Sequence, residues 1–339
     1  MKKPFFGVTL LFCVMLLSAQ ETEGLKSNKI QSIAFGSCSK EELVDKQLWN
    51  EVNSESPDLW IWLGDNIYGD SEDTTVLRSK YDKQKSHPGY QQLIKKSEII
   101  GIWDDHDYGA NDAGKEFPMK DASRDLMFEF MDLEKKHPAW ERKGGYQAHA
   151  YDFDGKRVKV LLLDARYFRD PLKKNKEDKN IPNYEGEILG DEQWIWLSQE
   201  LSDDKTDLFI LGSGIQVLAK DHRFEKWANF PNERNRLFSL IREKVNVPLI
   251  FISGDRHISE LSTYQIEDHD FPVYDITSSS LTHGWSDRRP ETNEYRIGDL
   301  VYEENFALLT IDWKGKKPKL RLKYITAKNE ILQEFDLPF

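Results

Sequence analysis

The sequence predicts an α/β fold whose mostly parallel sheet gathers polar side chains at one edge. Three observations support it. Short apolar runs such as Leu59–Leu63 have strand length and stop at Gly or Asp, leaving no room for a helix. Segments with apolar residues at helical spacing alternate with these runs, as crossover helices do. Four runs end in residues that ligate metals or move protons, and open α/β sheets hold ligands at the carboxyl ends of their strands.

In chain order, residues 30–35 alternate into a strand closed by Gly36-Ser37-Cys38. Leu43, Leu48 and Val52 place a helix over 41–52, which crosses to Leu59–Leu63 and completes a βαβ unit. Gly64 turns the chain tightly, Asp65 sits just past the strand, and Tyr68 is close enough to aim at the same point. Residues 71–90 read as a charged loop with a turn at Pro88-Gly89, and 90–96 as a short helix. The apolar run 99–103 ends in Asp104-Asp105-His106-Asp107-Tyr108-Gly109-Ala110-Asn111-Asp112. An amphipathic helix over 121–133 follows, with Asp121 or Ser123 as its cap. Asp154-Gly155 is a hairpin signal between strands over 145–153 and 158–163, the second ending at Asp164-Ala165-Arg166.

Residues 170–187 read as a basic, Pro-containing surface loop, and 190–201 as a capped helix. A strand over 208–211 ends in Gly212-Ser213-Gly214, and a helix covers 232–243. A strand over 248–252 ends in Ser253-Gly254-Asp255-Arg256-His257. Strands over 273–276, 306–313, 320–326 and 331–335 complete the chain. No repeat or low-complexity linker interrupts it, so 27–339 reads as a single domain.

Acidic residues outnumber basic ones, for a formal net charge of -12. Such a surface repels nucleic acid and suits bound cations. Ten Trp and thirteen Tyr point to a heavy core or an aromatic-lined cleft. Residues 1–20 read as a signal peptide. Lys2 and Lys3 form its positive start, 5–17 an apolar stretch too short for a membrane span, and Ser18-Ala19-Gln20 a cleavage site. The mature protein is expected in the periplasm or the medium, as a monomer without a membrane span. Processing removes Cys13 and leaves Cys38 alone, so no internal disulfide forms.

The strand ends suit phosphate ester hydrolysis, in which two neighbouring metal ions can hold the phosphate and supply a nucleophile. Asp65 is the candidate shared ligand. Asp65, Tyr68 and the thiolate of Cys38 suit a hard trivalent ion such as Fe(III). Asp105, Asn111 and Asp255 offer oxygen to Ca2+ or another hard divalent cation. His106, beside Asp105, is placed to protonate the leaving alkoxide or to steady the phosphoryl oxygens. Arg166 is expected to grip the phosphate with two hydrogen bonds. Trp103, Tyr108 and Trp285 are candidates for the cleft wall, which would favour an apolar or aromatic leaving group; core packing is their competing role. Taken singly, Cys38 reads as a small buried hydrophobe, and Asp65 and His257 as turn residues. Those readings give no reason for every ligand type to fall at a strand end.

Five segments, in order, resemble the signature of the alkaline phosphatase D family of calcineurin-like metallophosphoesterases. They are Gly36-Ser37-Cys38, Gly64-Asp65-Asn66-Ile67-Tyr68, Trp103-Asp104-Asp105-His106-Asp107, Leu163-Asp164-Ala165-Arg166 and Ser253-Gly254-Asp255-Arg256-His257. The likeness spans 30–280. It implies a four-layer αββα sandwich of two mixed sheets and an exported enzyme that releases phosphate from mono- or diesters. By the resemblance Cys38, Asp65, Tyr68 and His257 hold Fe3+, while Asp65, Asp255 and either Asp105 or Asn111 hold Ca2+. Asn66 and Tyr108 join Arg166 as residues expected to meet the substrate. Family members often carry a β-sandwich ahead of the catalytic domain. Too few residues precede Ile30 for one, so the site is expected to be more open, or shaped by the loops at 71–90 and 170–187.

Two other functions compete. An exported calcium-binding protein of the same fold would lack a catalytic ligand, yet every one is present. A secreted nuclease would need a basic patch, for which Arg166, Arg169, Lys173 and Lys174 are the candidates. A serine hydrolase is disfavoured, since Gly212-Ser213-Gly214 lacks the Gly-x-Ser-x-Gly elbow, and no Gly-rich phosphate loop is present.

Overall fold

The computed structural model describes residues 30–339 apart from 45, 287, 289 and 316. The signal peptide expected over 1–20 lies outside the described residues. Among those residues no helix is long and apolar enough to cross a membrane.

Two mixed sheets carry the fold. The six-stranded sheet has the order Ile331–Leu337, Lys319–Ile325, Phe306–Asp312, Ser32–Gly36, Leu59–Leu63, Glu98–Ile102. Its last three strands are parallel and the others antiparallel. The seven-stranded sheet runs Arg296–Val301, Ser259–Tyr264, Val273–Ser278, Leu249–Ser253, Leu208–Ser213, Lys156–Leu163, Gln147–Phe153. Its four parallel strands lie between Val273–Ser278 and Lys156–Leu163.

The period-two alternation of strands makes the layers. In Leu208–Ser213, Leu208 and Ile210 join the same core as Leu59 and Leu63 of the other sheet. Phe209 and Leu211 face the opposite way, into a core with Trp194, Leu197, Leu237 and Ile241 of the helices Gly190–Leu201 and Pro231–Lys244. The run Leu59–Leu63 is wholly buried. Its Trp60 and Trp62 pack on Trp49 of the helix Lys46–Glu55, with ring centroids 5.2 and 5.7 Å apart. Helices thus cover the outer face of each sheet, giving the αββα order.

Several expectations are corrected. Residues 71–90 are not a loop: Thr74–Ser86, capped by Asp73, and Pro88–Ile94 are helices. The first buries only Leu77, Tyr81 and Gln84, a stripe too thin to show as an apolar pattern. The helices Lys120–Phe130 and Gly190–Leu201 have no side-chain cap, so neither Asp121 nor Ser123 serves as one. Strands Ser259–Tyr264 and Arg296–Val301 were not foreseen.

The polar strand ends also belong to two sheets rather than one. Those carrying Cys38, Asp65 and Asp104 lie in the six-stranded sheet, and that carrying Asp255 lies in the seven-stranded one. The two edges touch at Gly254, where a Cβ would fall 2.4 Å from the Leu63 carbonyl oxygen. Only glycine permits that approach.

Candidate metal centre

Where the edges meet, four ligand types converge. Cys38 Sγ lies 3.3 Å from Asp65 Oδ2 and 3.2 Å from Ser279 Oγ. The Tyr68 hydroxyl is 3.4 Å from Asp65 Oδ2 and 3.2 Å from His257 Nε2. One ligand atom each of Cys38, Asp65 and His257 falls within 4.8 Å of the others. Asp65, Asp105 and His106 meet the same limit, as do Asp104, Asp105 and Asp255. Asp65 and Asp105 each belong to two of these three groups: Asp65 joins the sulfur-containing set to the one with His106, and Asp105 joins that one to the acidic set.

The backbone is arranged for this convergence. Cys38, Asp65, Asp255 and His257 have φ of 59°, 49°, 71° and 54°. Such left-handed angles are uncommon outside glycine and persist where the surroundings dictate them. Here Ser39 N donates to the Asp65 carbonyl at 2.9 Å, and His257 N donates to Ser279 Oγ at 2.9 Å. Gly64 turns at φ +93°, where a Cβ would fall 2.3 Å from that of Asp104.

Asp65, Asp104, Asp105, Asp107 and Glu225 are buried, and Asp255 is half-buried. Burial, then the neighbouring Cys38 and carboxylates, pushes Asp65 well above the usual carboxylate range. Burial and the charges of Asp104 and Asp105 do the same to Asp255. Burial pushes the Cys38 thiol up to about 11 and lowers His257 to about 4. Asp105 goes the other way: burial opposes its ionisation, but Arg166 and His106 outweigh that and hold it low.

The chain's own cations answer part of this charge. Arg166 bonds Asp104 and Glu225, Arg169 bonds Glu225, and Arg256 turns to Glu291. Asp65 and Asp255 have no ion pair among the described residues, and Asp104 Oδ2 is buried without a hydrogen-bond partner. Buried negative charge needs a counterion. Thiol, phenol, imidazole and carboxylate oxygens at these spacings fit metal ions.

A cavity of about 570 Å³ opens above the cluster. Asp65, Asp105, His106, Asn111, Asp255 and His257 line one side. The loop 170–187 borders it through the hairpin of Lys173–Lys174 and Asn180–Ile181, so that expectation holds. Asn111 is exposed at the rim, whereas Asp105 is buried within the cluster. His106 Nδ1 lies 2.7 Å from Asp70 Oδ1, and its ring packs 4.2 Å from that of Tyr68. Burial lowers the His106 pKa, but Asp70 and Asp105 reverse this and the net shift is upward.

Three expected substrate contacts are corrected. Arg166 is fully buried between Asp104 and Glu225, at 2.7 and 2.5 Å, and presents no face to the cavity. Arg169 is equally buried, so no basic patch forms with Lys173 and Lys174. Asn66 is buried and donates to the Ile102 carbonyl and to Asp107. Tyr108 is in the core, packed on Trp103 and Phe117, with its hydroxyl donating to the Gly114 carbonyl. Trp103 donates to Asp164 and is core as well; Trp285 does line the cavity.

Sequence reasoning missed Asp107, Glu225, Ser279 and His283. His283 packs 4.4 Å from the His257 ring and 5.2 Å from Tyr68. The polar run Thr277-Ser278-Ser279-Ser280 at a strand end was a signal for Ser279. Glu225 lies in an irregular segment with none.

Two mixed sheets meeting over such a cluster define a metallophosphoesterase-like α/β protein. A profile of the PhoD-like phosphatase family matches residues 33–316, and the chain belongs to that family. Alkaline phosphatase D of Bacillus subtilis (strain 168) is 23% identical over 313 residues, which cover 78% of this chain and 53% of that protein. The chain thus spans about half the length of that curated relative. A solved structure of PhoD shares the fold with TM-score 0.73 and 16% identity, over 91% of this chain and 69% of that one. A dimetal phosphatase from Danio rerio shares it with TM-score 0.57 and 13% identity, over 92% and 100%.

Proposed function

We propose that the chain is an exported metal-dependent phosphoesterase acting on small phosphate mono- or diesters. Cys38, Asp65, Tyr68 and His257 would hold Fe3+. Asp65, Asp105 and Asp255 would hold Ca2+ or another divalent cation, with Asn111 at its edge. The observation that carries this reading is that ligand atoms of Cys38, Asp65 and His257 fall within 4.8 Å of one another, as do those of Asp104, Asp105 and Asp255, while Asp65 and Asp255 have no ion pair among the described residues. Family membership supports it. Export rests on the leader sequence over 1–20.

Bound cations supply charge neutralisation at the phosphoryl oxygens and a nucleophile at neutral pH. The chain's residues do the rest. Asp70 steadies His106 through Nδ1, which leaves Nε2 to pass a proton to the departing alkoxide. Arg166 acts behind the site: it orients Asp104 and keeps Asp105 ionised. Asp107 accepts from the backbone N–H groups of Asp65, Asn66 and Asp104 and so fixes two ligand loops against each other.

The test is metal analysis of the purified chain with turnover of an aryl phosphate monoester and diester. Bound iron, a visible Tyr–Fe(III) charge-transfer band and turnover supported by Ca2+ are expected. A colourless, metal-free protein that stays inactive when both metals are supplied would sink the reading.

A further inference from the structure

We propose that Phe224 and Trp285 form a leaving-group subsite that selects phosphate esters of planar aromatic alcohols over alkyl esters. This inference rests on the phosphoesterase reading above. Both residues are half-buried, and both line the cavity that holds Asp65, Asp255 and His257. Their rings meet at 87° with centroids 4.7 Å apart, forming a corner.

Each ring is braced. Trp285 N donates to the His257 carbonyl at 3.1 Å, so this wall hangs from the backbone of a candidate ligand. Phe224 carries the guanidinium of Arg256 at 4.6 Å and that of Arg223 at 5.0 Å. Arg256 is buried and held by Gln216 and Glu291, and it sits in sequence between Asp255 and His257. The corner is therefore set at a fixed distance from the ligand cluster.

Partly exposed aromatic rings in an otherwise polar cavity gain from being covered by another apolar surface. An ester whose phosphoryl group sits at the carboxylates would direct its leaving group to this wall. A rigid planar ring meets one face with little loss of freedom, whereas a flexible alkyl chain gives up rotamers to do so. No bond beyond the scissile P–O bond is involved. The subsite acts on binding and orientation.

The experiment compares kcat/KM for phenyl phosphate with that for the phosphate of a fluorinated alkyl alcohol as acidic as phenol. That pairing removes leaving-group reactivity from the comparison. The wild-type preference for phenyl is expected to fall about tenfold in Trp285→Ala, as for loss of one aromatic stacking contact, and to survive in Trp285→Phe. Competitive inhibition by phenylphosphonate relative to methylphosphonate should weaken in parallel. Phe224→Ala gives a second, independent variant. An unchanged ratio in both alanine variants overturns the subsite and leaves the phosphoesterase reading standing. No turnover of either ester by metal-loaded wild type overturns both.

Discussion

Asp107 is buried and Asp255 half-buried, and the chain treats them in opposite ways. Asp107 accepts hydrogen bonds from the backbone of Asp65, Asn66 and Asp104, from the Asn66 amide and from the Tyr81 hydroxyl, at 2.6–3.3 Å. Asp255 accepts none among the described residues. Burial pushes both upward, Asp107 to about 7 against its backbone donors, and Asp255 well above the usual range with Asp104 and Asp105 adding to it. A buried acid bonded from several sides is a strut. One left bare among other acids is the kind of position proposed above to hold a cation. Proximity to the centre therefore does not by itself make a ligand.

The largest effect should come at Asp65, the proposed shared ligand. Asp65→Asn is expected to lower turnover roughly 10⁴-fold, about 5 kcal/mol of barrier, as read by single-substrate kinetics with both metals supplied. Retention of more than a tenth of wild-type turnover would show that Asp65 is no bridge. Next, Arg166→Met should cost about 3–5 kcal/mol in urea unfolding, because Asp104 loses its buried counterion and Glu225 keeps only Arg169. An Arg166 that contacted substrate would instead change KM with stability kept.

The direct contrast is smaller and rests on sign. In chelated protein, Asp107→Asn should lose about 1–3 kcal/mol, since its donors go unmet, while Asp255→Asn should gain stability by relieving like charge. Calorimetry of the two metal-free variants decides it, and equal losses in both would erase the distinction drawn above. In loaded protein, Asp107→Asn should weaken metal affinity some 10–100-fold, measured by competition with a chelator. Smallest of all, Tyr108→Phe should cost about 1 kcal/mol through its lost bond to Gly114 and leave turnover alone. A change in KM there would restore Tyr108 to the substrate.

Which features were legible follows from the same physics. The strands that deliver Asp65 and Asp255 are continuous apolar runs because both of their faces are covered, and the polar residue that ends each run stands out. Ser259–Tyr264 was illegible for the converse reason. Its buried Ser259, Glu260 and Ser262 are satisfied by Asn305, Arg296 and Asn293, so the strand carries no apolar pattern. Arg166 misled because its fate depends on Glu225, 59 residues further on. Asn66 and Tyr108 stand beside expected ligands in sequence, yet the turns carry their side chains inward. That direction is set by Asp107 and by Phe117, which a motif does not report.

A lineage that gave up its ions would gain by placing glycine at Cys38 and His257, since glycine takes φ of 59° and 54° without Cβ crowding. Keeping a bulkier side chain at these two angles fits a use for its sulfur or nitrogen atom. Aspartate tolerates left-handed turns unaided, so Asp65 and Asp255 would outlast the loss. Glycine at either of the first two positions in a homologous chain would then be the earliest trace of a vanished centre.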